Sequence, residues 1–273
     1  MPSYALANSW DHAGQRLHLL EQFHDPLTRR RLEELGIRSG WRCLDVGAGA
    51  GSIASWLCRK VGSAGRVIAT DIDTRFLEEI RAANFEARRH DIRTDPLPVA
   101  KFDLVSARWL LHHLPHPERI IERMLTALRP GGWLLLEEVD FFPLGASNSQ
   151  VYIDFMTALT KTVVAHSGGN SLWARSLPEL MTKQGLTSLH ANAEVAILRS
   201  GSPVAEFFQF TAAQIREQVI ASGALSAKRF DAGVALLKDP DFWAFAGAGI
   251  GVWGKLPARF EPRRIASARG PTV

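Results

Sequence analysis

Residues 43–51 read CLDVGAGAG: a short apolar run, an acid, then glycine at every second position. Arg42–Val46 has the pattern of a buried strand, and residues 52–58 (SIASWLC) that of the helix behind it. Gly47, Gly49 and Gly51 let the chain reverse between them and keep side chains away from a ligand lying against the turn. The N-terminus of the following helix adds unpaired N–H groups and a positive dipole end, which suits a polar or anionic group. Two ligands fit at this point. Gly49-x-Gly51-x-x-Ala54, with Asp71 twenty residues after Gly51, matches a nicotinamide dinucleotide fingerprint. Asp45, two residues before the first glycine, favours a ligand with a cationic group such as an ammonium.

Downstream, strands and helices alternate. Residues 66–70 form a second strand ending in Asp71-Ile72-Asp73, and residues 74–83 a helix capped by Asp73. Residues 85–90 form a third strand ending in Asp91-Ile92. A fourth, 101–107, runs into RWLLHHL (108–114). Pro117 opens a helix to residue 128, Arg129-Pro130-Gly131-Gly132 closes it, and residues 133–138 make a fifth strand. Such alternation builds a parallel sheet with right-handed crossovers, whose ligands gather at the carboxyl ends of the strands. Asp45, Asp71 and Asp91 all fall at that rim. A carboxylate at the place of Asp71 can accept both hydroxyls of a ribose, which an adenosine ligand requires.

Ahead of the first strand, residues 9–24 carry Leu17, Leu20 and Phe23 at helical spacing, with Ser9 or Asp11 as N-cap. Residues 26–35 form a second helix that stops at Gly36. Helices placed there can fold over the sheet's open rim, with Tyr4, Trp10 and His12 lining a pocket. Packing of Trp10 between helix and core accounts for it equally well. In the second half, residues 151–166 and 176–184 read as helices, and 186–198 with 242–256 as an antiparallel strand pair. Residues 203–221 and 226–238 read as two helices inserted between those strands as a lid.

With 273 residues and 46% apolar content the chain can bury one good core with room for one elaboration. The net charge is only +4. Its basic clusters (Arg29-Arg30-Arg31, Arg88-Arg89, and the tail around Arg259, Arg263 and Arg264) are short and mixed with Glu33, Glu34 and Glu86. They read as solvated helix faces, not as a nucleic-acid stripe with aromatic stacking partners. No apolar run nears the roughly 18–20 residues that span a bilayer, and the N-terminus lacks a secretory signal. Cys43 and Cys58, on a buried strand and a helix, point to a reduced cytoplasmic protein, and no His/Cys/carboxylate set has metal spacing.

LDVGAGAGSIA, VIATDID, HDIRTDPLP, KFDLVSARWLLHHL and LRPGGWLLLEE together resemble, in order and spacing, the motifs of class I S-adenosyl-L-methionine (SAM) dependent methyltransferases. The likeness covers residues 36–140, is specific as a set, and sets the nicotinamide reading aside. It looks closest to small-molecule, biosynthetic members. It implies a Rossmann-like α/β fold: a seven-stranded, mostly parallel sheet with helices on both faces. The domain organisation that follows is an N-terminal helical cap, residues 1–35, and a methyltransferase domain, 36–273, with the helical lid between residues 200 and 240. The resemblance also implies SAM as cofactor, held by Asp45, Gly47, Gly49, Gly51, Asp71, Ile72, Asp91, Ile92, Ala107 and Arg108. In that family the acid at Asp91 pairs with the adenine amino group and its apolar neighbour packs on the ring.

Methyl transfer from a sulfonium is an in-line displacement in which alignment supplies much of the rate. An oxygen or nitrogen nucleophile must also lose its proton, and histidine titrates nearest neutrality. His113 is the first candidate for that base and His112 the second; positioning without any base is the third option. Phosphoethanolamine-type methyltransferases carry a similar histidine five residues after an arginine, as His113 follows Arg108, while their partner tyrosine falls at Trp10 here. Glu138 and Asp140 either face the pocket or simply end the fifth strand. Ser106-Ala107-Arg108-Trp109 replaces the Asn/Asp-Pro-Pro-aromatic clamp used on the amino groups of nucleic-acid bases. The expectation is therefore a cytoplasmic enzyme methylating a small molecule, at oxygen before nitrogen or carbon, with no nucleic-acid, membrane or metal partner. A homodimer is the assembly considered. The alternative is a SAM-binding protein of the same fold that transfers no methyl, a biosynthetic cyclase or a scaffold.

Overall fold

The structure, a computed structural model, describes residues 5–165 and 167–259; Tyr4, His166 and the tail residues Arg263 and Arg264 lie outside them. Its strands are β1 (Arg42–Val46), β2 (Arg66–Asp71), β3 (Phe85–Arg89), β4 (Phe102–Arg108), β5 (Leu128–Asp140), β6 (Thr187–Arg199) and β7 (Trp243–Lys255). They form one sheet in the order β3-β2-β1-β4-β5-β7-β6. β1 to β5 pair in parallel, and β7 runs antiparallel to both β5 and β6. Central strands of such a sheet are covered on both faces, which is why β1, β2 and β4 are buried nearly throughout. β5 begins earlier than the sequence suggests. The Arg-Pro-Gly-Gly bend is folded into it, with a register shift between Phe102↔Leu128 and Leu104↔Trp133.

The helices are α1 (Ala13–Glu34), α2 (Ser52–Val61), α3 (Pro117–Ala127), α4 (Gln150–Ala165), α5 (Leu177–Lys183), α6 (Pro203–Ala221) and α7 (Ala227–Leu236). Alternate strand residues point to opposite faces. Cys43, Val67 and Leu104 meet α2, whereas Leu44, Ile68 and Val105 meet α3 and α5. A third cluster joins α4, α6 and α7 to Val139 and Phe141 at the end of β5. α6 also packs against α1. Ser202 and Ser226 cap α6 and α7, each accepting a backbone N–H from three residues ahead, at 3.3 and 3.4 Å. No described helix is long and apolar enough to cross a membrane.

Two expectations fail. Residues 9–24 and 26–35 form one helix, not two: α1 runs through Pro26, and its N-cap is His12, which makes no capping bond. Proline within a helix costs about 3 kcal/mol in lost bonding and crowding. Here the turns around it are held from the side, because Asp25, Thr28 and Arg31 each bond to another element. Residues 74–83 do not form a helix beyond the single 3₁₀ turn Leu77–Glu79. The Asp73 carboxylate closes locally on the backbone N–H and Nε of Arg75. Asn84 then donates to the carbonyls of Cys58 and Gly62 (2.9 and 2.8 Å), drawing the chain straight back to α2.

Candidate active site

At the carboxyl ends of β1, β2 and β4 lies a cavity of about 510 Å³, walled on its other sides by residues 6–9, α1, α4 and α6. The glycine turn forms its floor. Gly47 N and Ala48 N both donate to Thr70 O (2.7 and 3.0 Å), tying the turn to β2. Gly47 (φ +68°) has the left-handed backbone that glycine tolerates best, and a Cβ there would lie 2.9 Å from Leu110. Gly51 serves packing instead. It is absent from the cavity wall, and a Cβ on it would stand 2.6 Å from Ile80.

Three strand-end acids line the cavity in different states. Asp45 is buried, accepts from Ser106 Oγ at 2.9 Å, and is pushed up by burial to about 6. Asp71 accepts from Gly49 N (3.0 Å) and Asp73 N (3.1 Å), so it shapes the glycine turn as well as facing the cavity; burial raises it too. Asp91 is held below the usual carboxylate range by Arg93, whose guanidinium grips both its oxygens. Ile72, Ile92 and Ala107 complete this half. Arg108 reaches the wall, but its guanidinium turns to α1, bonding Asp25 Oδ1 at 2.9 Å and Thr28 Oγ1 at 3.1 Å. Trp10 is not on the wall; it packs edge-on against Phe210 of α6 at 6.2 Å between ring centroids.

Both histidines line the cavity from the 3₁₀ turn Leu111–His113. Glu138, wholly buried at the end of β5, organises that turn. One oxygen accepts from Leu110 N (3.0 Å) and Leu111 N (2.7 Å); the other faces His112 N (3.3 Å) and His112 Nδ1 (2.6 Å). Burial lifts Glu138 to about 7 and drives His112 down to about 3. His113 is also held well below its ordinary value, by burial and then by His112 and Arg16. The two imidazoles lie 3.8 Å apart between centroids. Asp140 does not reach the cavity. Both its oxygens bind Arg175, at 2.7 and 2.8 Å.

An apolar stretch of the cavity wall is made by Leu20, Trp109, Phe141, Leu159, Val163, Phe207 and Phe208, with Arg16, Glu21, Glu137 and Ser167 as further polar lining. Thr160 and Thr211 also face it, but their hydroxyls donate back to Met156 O (2.8 Å) and Phe207 O (2.9 Å). Trp109, between the two halves, holds a left-handed backbone (φ +52°) that is rare for a bulky residue and is found at functional sites. One expectation about charge is corrected here. Arg29 pairs with Asp25 and Arg30 with Glu194, but Arg31 is buried, paired with Glu137 and bonded to Asn192. Sequence reasoning missed this buried polar stripe on α1 and its partner Glu137. The signal was present in Arg16, His24, Thr28 and Arg31, polar residues recurring at helical spacing on one face.

A seven-stranded sheet with an antiparallel final pair, a glycine turn and acids closing three successive strands define a class I SAM-dependent methyltransferase. The chain belongs to the family described as methyltransferase domain, whose model matches residues 16–191. It is 30% identical over 177 residues to the ubiquinone/menaquinone biosynthesis C-methyltransferase UbiE of Pseudomonas fluorescens, covering 60% of this chain and 69% of that protein. To the Pseudomonas putida counterpart it is 36% identical over 118 residues, so it spans only 46% of that relative's length. Among solved structures, a Haemonchus contortus phosphoethanolamine N-methyltransferase superposes with TM-score 0.52 at 17% identity, over 90% of this chain and 53% of that one. The [4+2]-cyclase SpnF gives TM-score 0.52 at 20% identity, over 87% and 82%. At such identities the likeness is one of fold.

Proposed function

We propose that this protein transfers the methyl group of SAM to a small, largely apolar acceptor, at a hydroxyl oxygen, by in-line displacement. The observation that carries the reading is that one cavity joins the acid-lined glycine turn to the histidine turn and an apolar chamber. Asp45 would meet the ammonium of SAM, Asp71 the ribose hydroxyls, and Asp91 the adenine edge, with Ile72 and Ile92 against the ring. Gly47 and Gly49 leave room for the methionyl chain. Arg108, committed to Asp25, acts at one remove by fixing α1 over the site. The histidine turn stands where the acceptor's proton would leave, and Phe207, Phe208 and Leu159 favour an apolar scaffold. The cap of residues 1–35 and the lid helix α6, with α7 packed behind α4 and α6, would exclude water from the sulfonium. The free, buried thiols of Cys43 and Cys58 support a cytoplasmic setting.

A second reading, methylation at carbon, is favoured by the UbiE relatives, which are named C-methyltransferases. A phenolate can react at oxygen or at a ring carbon, so the same base would serve either outcome. Incubation with methyl-labelled SAM and a panel of phenols, quinols and alcohols tests the proposal. The expected result is a labelled product with S-adenosylhomocysteine formed in step, and mass spectrometry with NMR assigns oxygen or carbon. Tight binding of S-adenosylhomocysteine without turnover on any acceptor would favour the non-transferring alternative. Binding of a nicotinamide dinucleotide in its place would overturn the cofactor assignment.

A further inference from the structure

We propose that Glu138 is a positioning residue that fixes His112 as the Nδ1–H tautomer, and that His112 Nε2 is therefore the proton acceptor for the methyl-transfer step. The inference rests on the transfer reading above for its chemistry, though not for its geometry. Three backbone N–H groups point at the Glu138 carboxylate, from Leu110, Leu111 and His112. Backbone N–H can only donate, and in its carboxylate form Glu138 has no proton to give, so both its oxygens accept. The contact between Glu138 Oε2 and His112 Nδ1, at 2.6 Å, is then one in which the imidazole donates. A neutral imidazole with its proton on Nδ1 carries its lone pair on Nε2.

The backbone of His112 is clamped as well. Asn170 N donates to His112 O at 3.0 Å, and Gly169 sits so close that a Cβ on it would lie 2.0 Å from that same oxygen. Base and orienting carboxylate thus have the relation that makes a histidine a competent general base. In the step itself the acceptor's O–H proton passes to His112 Nε2 and the oxygen pair forms the new bond to the methyl carbon. The carbon–sulfur pair returns to sulfur, leaving S-adenosylhomocysteine. The imidazolium that forms faces the Glu138 carboxylate.

The pair is competent when it carries one proton. A second proton, on either partner, leaves Nε2 protonated and closes the reaction. The ionisable groups facing the pair are His113 on the same turn and, through His113, Arg16 on α1. With Glu138 lifted to about 7 by burial, kcat/KM is expected to rise up to tenfold per pH unit below neutrality and to level off above it.

The test begins with the full chain labelled with ¹⁵N-histidine and bound to S-adenosylhomocysteine, where two-bond ¹H–¹⁵N correlations report which ring nitrogen holds the proton. At pH 8 the His112 proton is expected on Nδ1. In Glu138→Gln the amide oxygen takes the Leu110 and Leu111 N–H groups and the amide NH₂ faces His112, so the proton should move to Nε2. On any acceptor the wild type methylates, Glu138→Gln and His112→Gln should each lose about 10²–10⁴ in kcat with S-adenosylhomocysteine affinity retained. A proton on Nε2 in the wild type at pH 8 would overturn the inference, as would a His112→Gln variant that keeps its turnover. Absence of wild-type turnover on every acceptor counts against the transfer reading instead, and the tautomer still decides the role of Glu138.

Discussion

Asp45 carries a consequence that only its burial reveals. An isolated aspartate is ionised throughout the physiological range, but burial lifts this one to about 6. In the free protein the carboxylate is therefore present above pH 6 and is lost as pH falls through that value. In the binding mode proposed above the SAM ammonium meets that carboxylate, so below pH 6 binding must first displace a proton, weakening affinity tenfold for each further unit. Calorimetry of S-adenosylhomocysteine binding should therefore show a plateau above pH 6 with a limb on the acid side. Asp45→Asn should remove the acid limb and lower plateau affinity about 10–100-fold, the loss of one charge-assisted contact. A variant that binds as well as the wild type at pH 7 would show that the ammonium lies elsewhere. The acids Asp45, Asp71 and Asp91 were legible from the chain alone, because each stands at the carboxyl end of a parallel strand, where ligands of such a sheet gather. Glu138 was visible as a strand-end acid, but its service to His112 was not, since that depends on where a separate turn lands.

At the level of elements, α1 was the least legible and is the most constrained. Its Leu17, Leu20 and Phe23 gave the correct impression of an amphipathic helix, and Pro26 the wrong impression of two. A pattern of apolar residues reports contacts with oil; it is silent when the covered face is itself charged. Arg31 is fully enclosed, bonding Glu137 on β5 and Asn192 on β6, while Thr28 donates to the other Glu137 oxygen at 2.6 Å. Replacing Arg31 by Met leaves Glu137 buried without its countercharge, which typically costs about 3–5 kcal/mol. Urea unfolding should show that loss. Arg31→Met combined with Glu137→Gln should recover most of it, since the stranded charge is the source of the cost. If the double variant is no better than the single, the helix is held by packing and not by this pair. The lid helices, by contrast, were read with nearly their observed limits. Ser202-Pro203 and Ser226 are start signals of purely local origin, and they cap just as their chemistry suggests.

Over the whole molecule, the sheet order follows from the alternation of strands and helices, but the closure of the site does not. The cavity has walls on the sheet, on α1, and on α4 and α6, segments with no sequence pattern pointing them at one another. A ligand filling it would touch α1, the central strands, α4 and α6 at once. Linkage makes that measurable: at a concentration one hundred times its dissociation constant, a ligand binding only the folded state adds about 2.7 kcal/mol. For a chain of this size that corresponds to a rise in Tm of about 5 °C. S-adenosylhomocysteine should produce this shift in scanning calorimetry. Asp71→Ala should abolish it at the same ligand concentration, because Asp71 both faces the cavity and holds Gly49 N in the glycine turn. Trp10→Ala should keep the shift, because Trp10 packs on Phe210 outside the cavity wall. The contrast separates a group that grips the cofactor from one that only steadies the roof above it. A shift that survives Asp71→Ala but vanishes with Trp10→Ala would mean the ligand is held by the cap and not by the sheet.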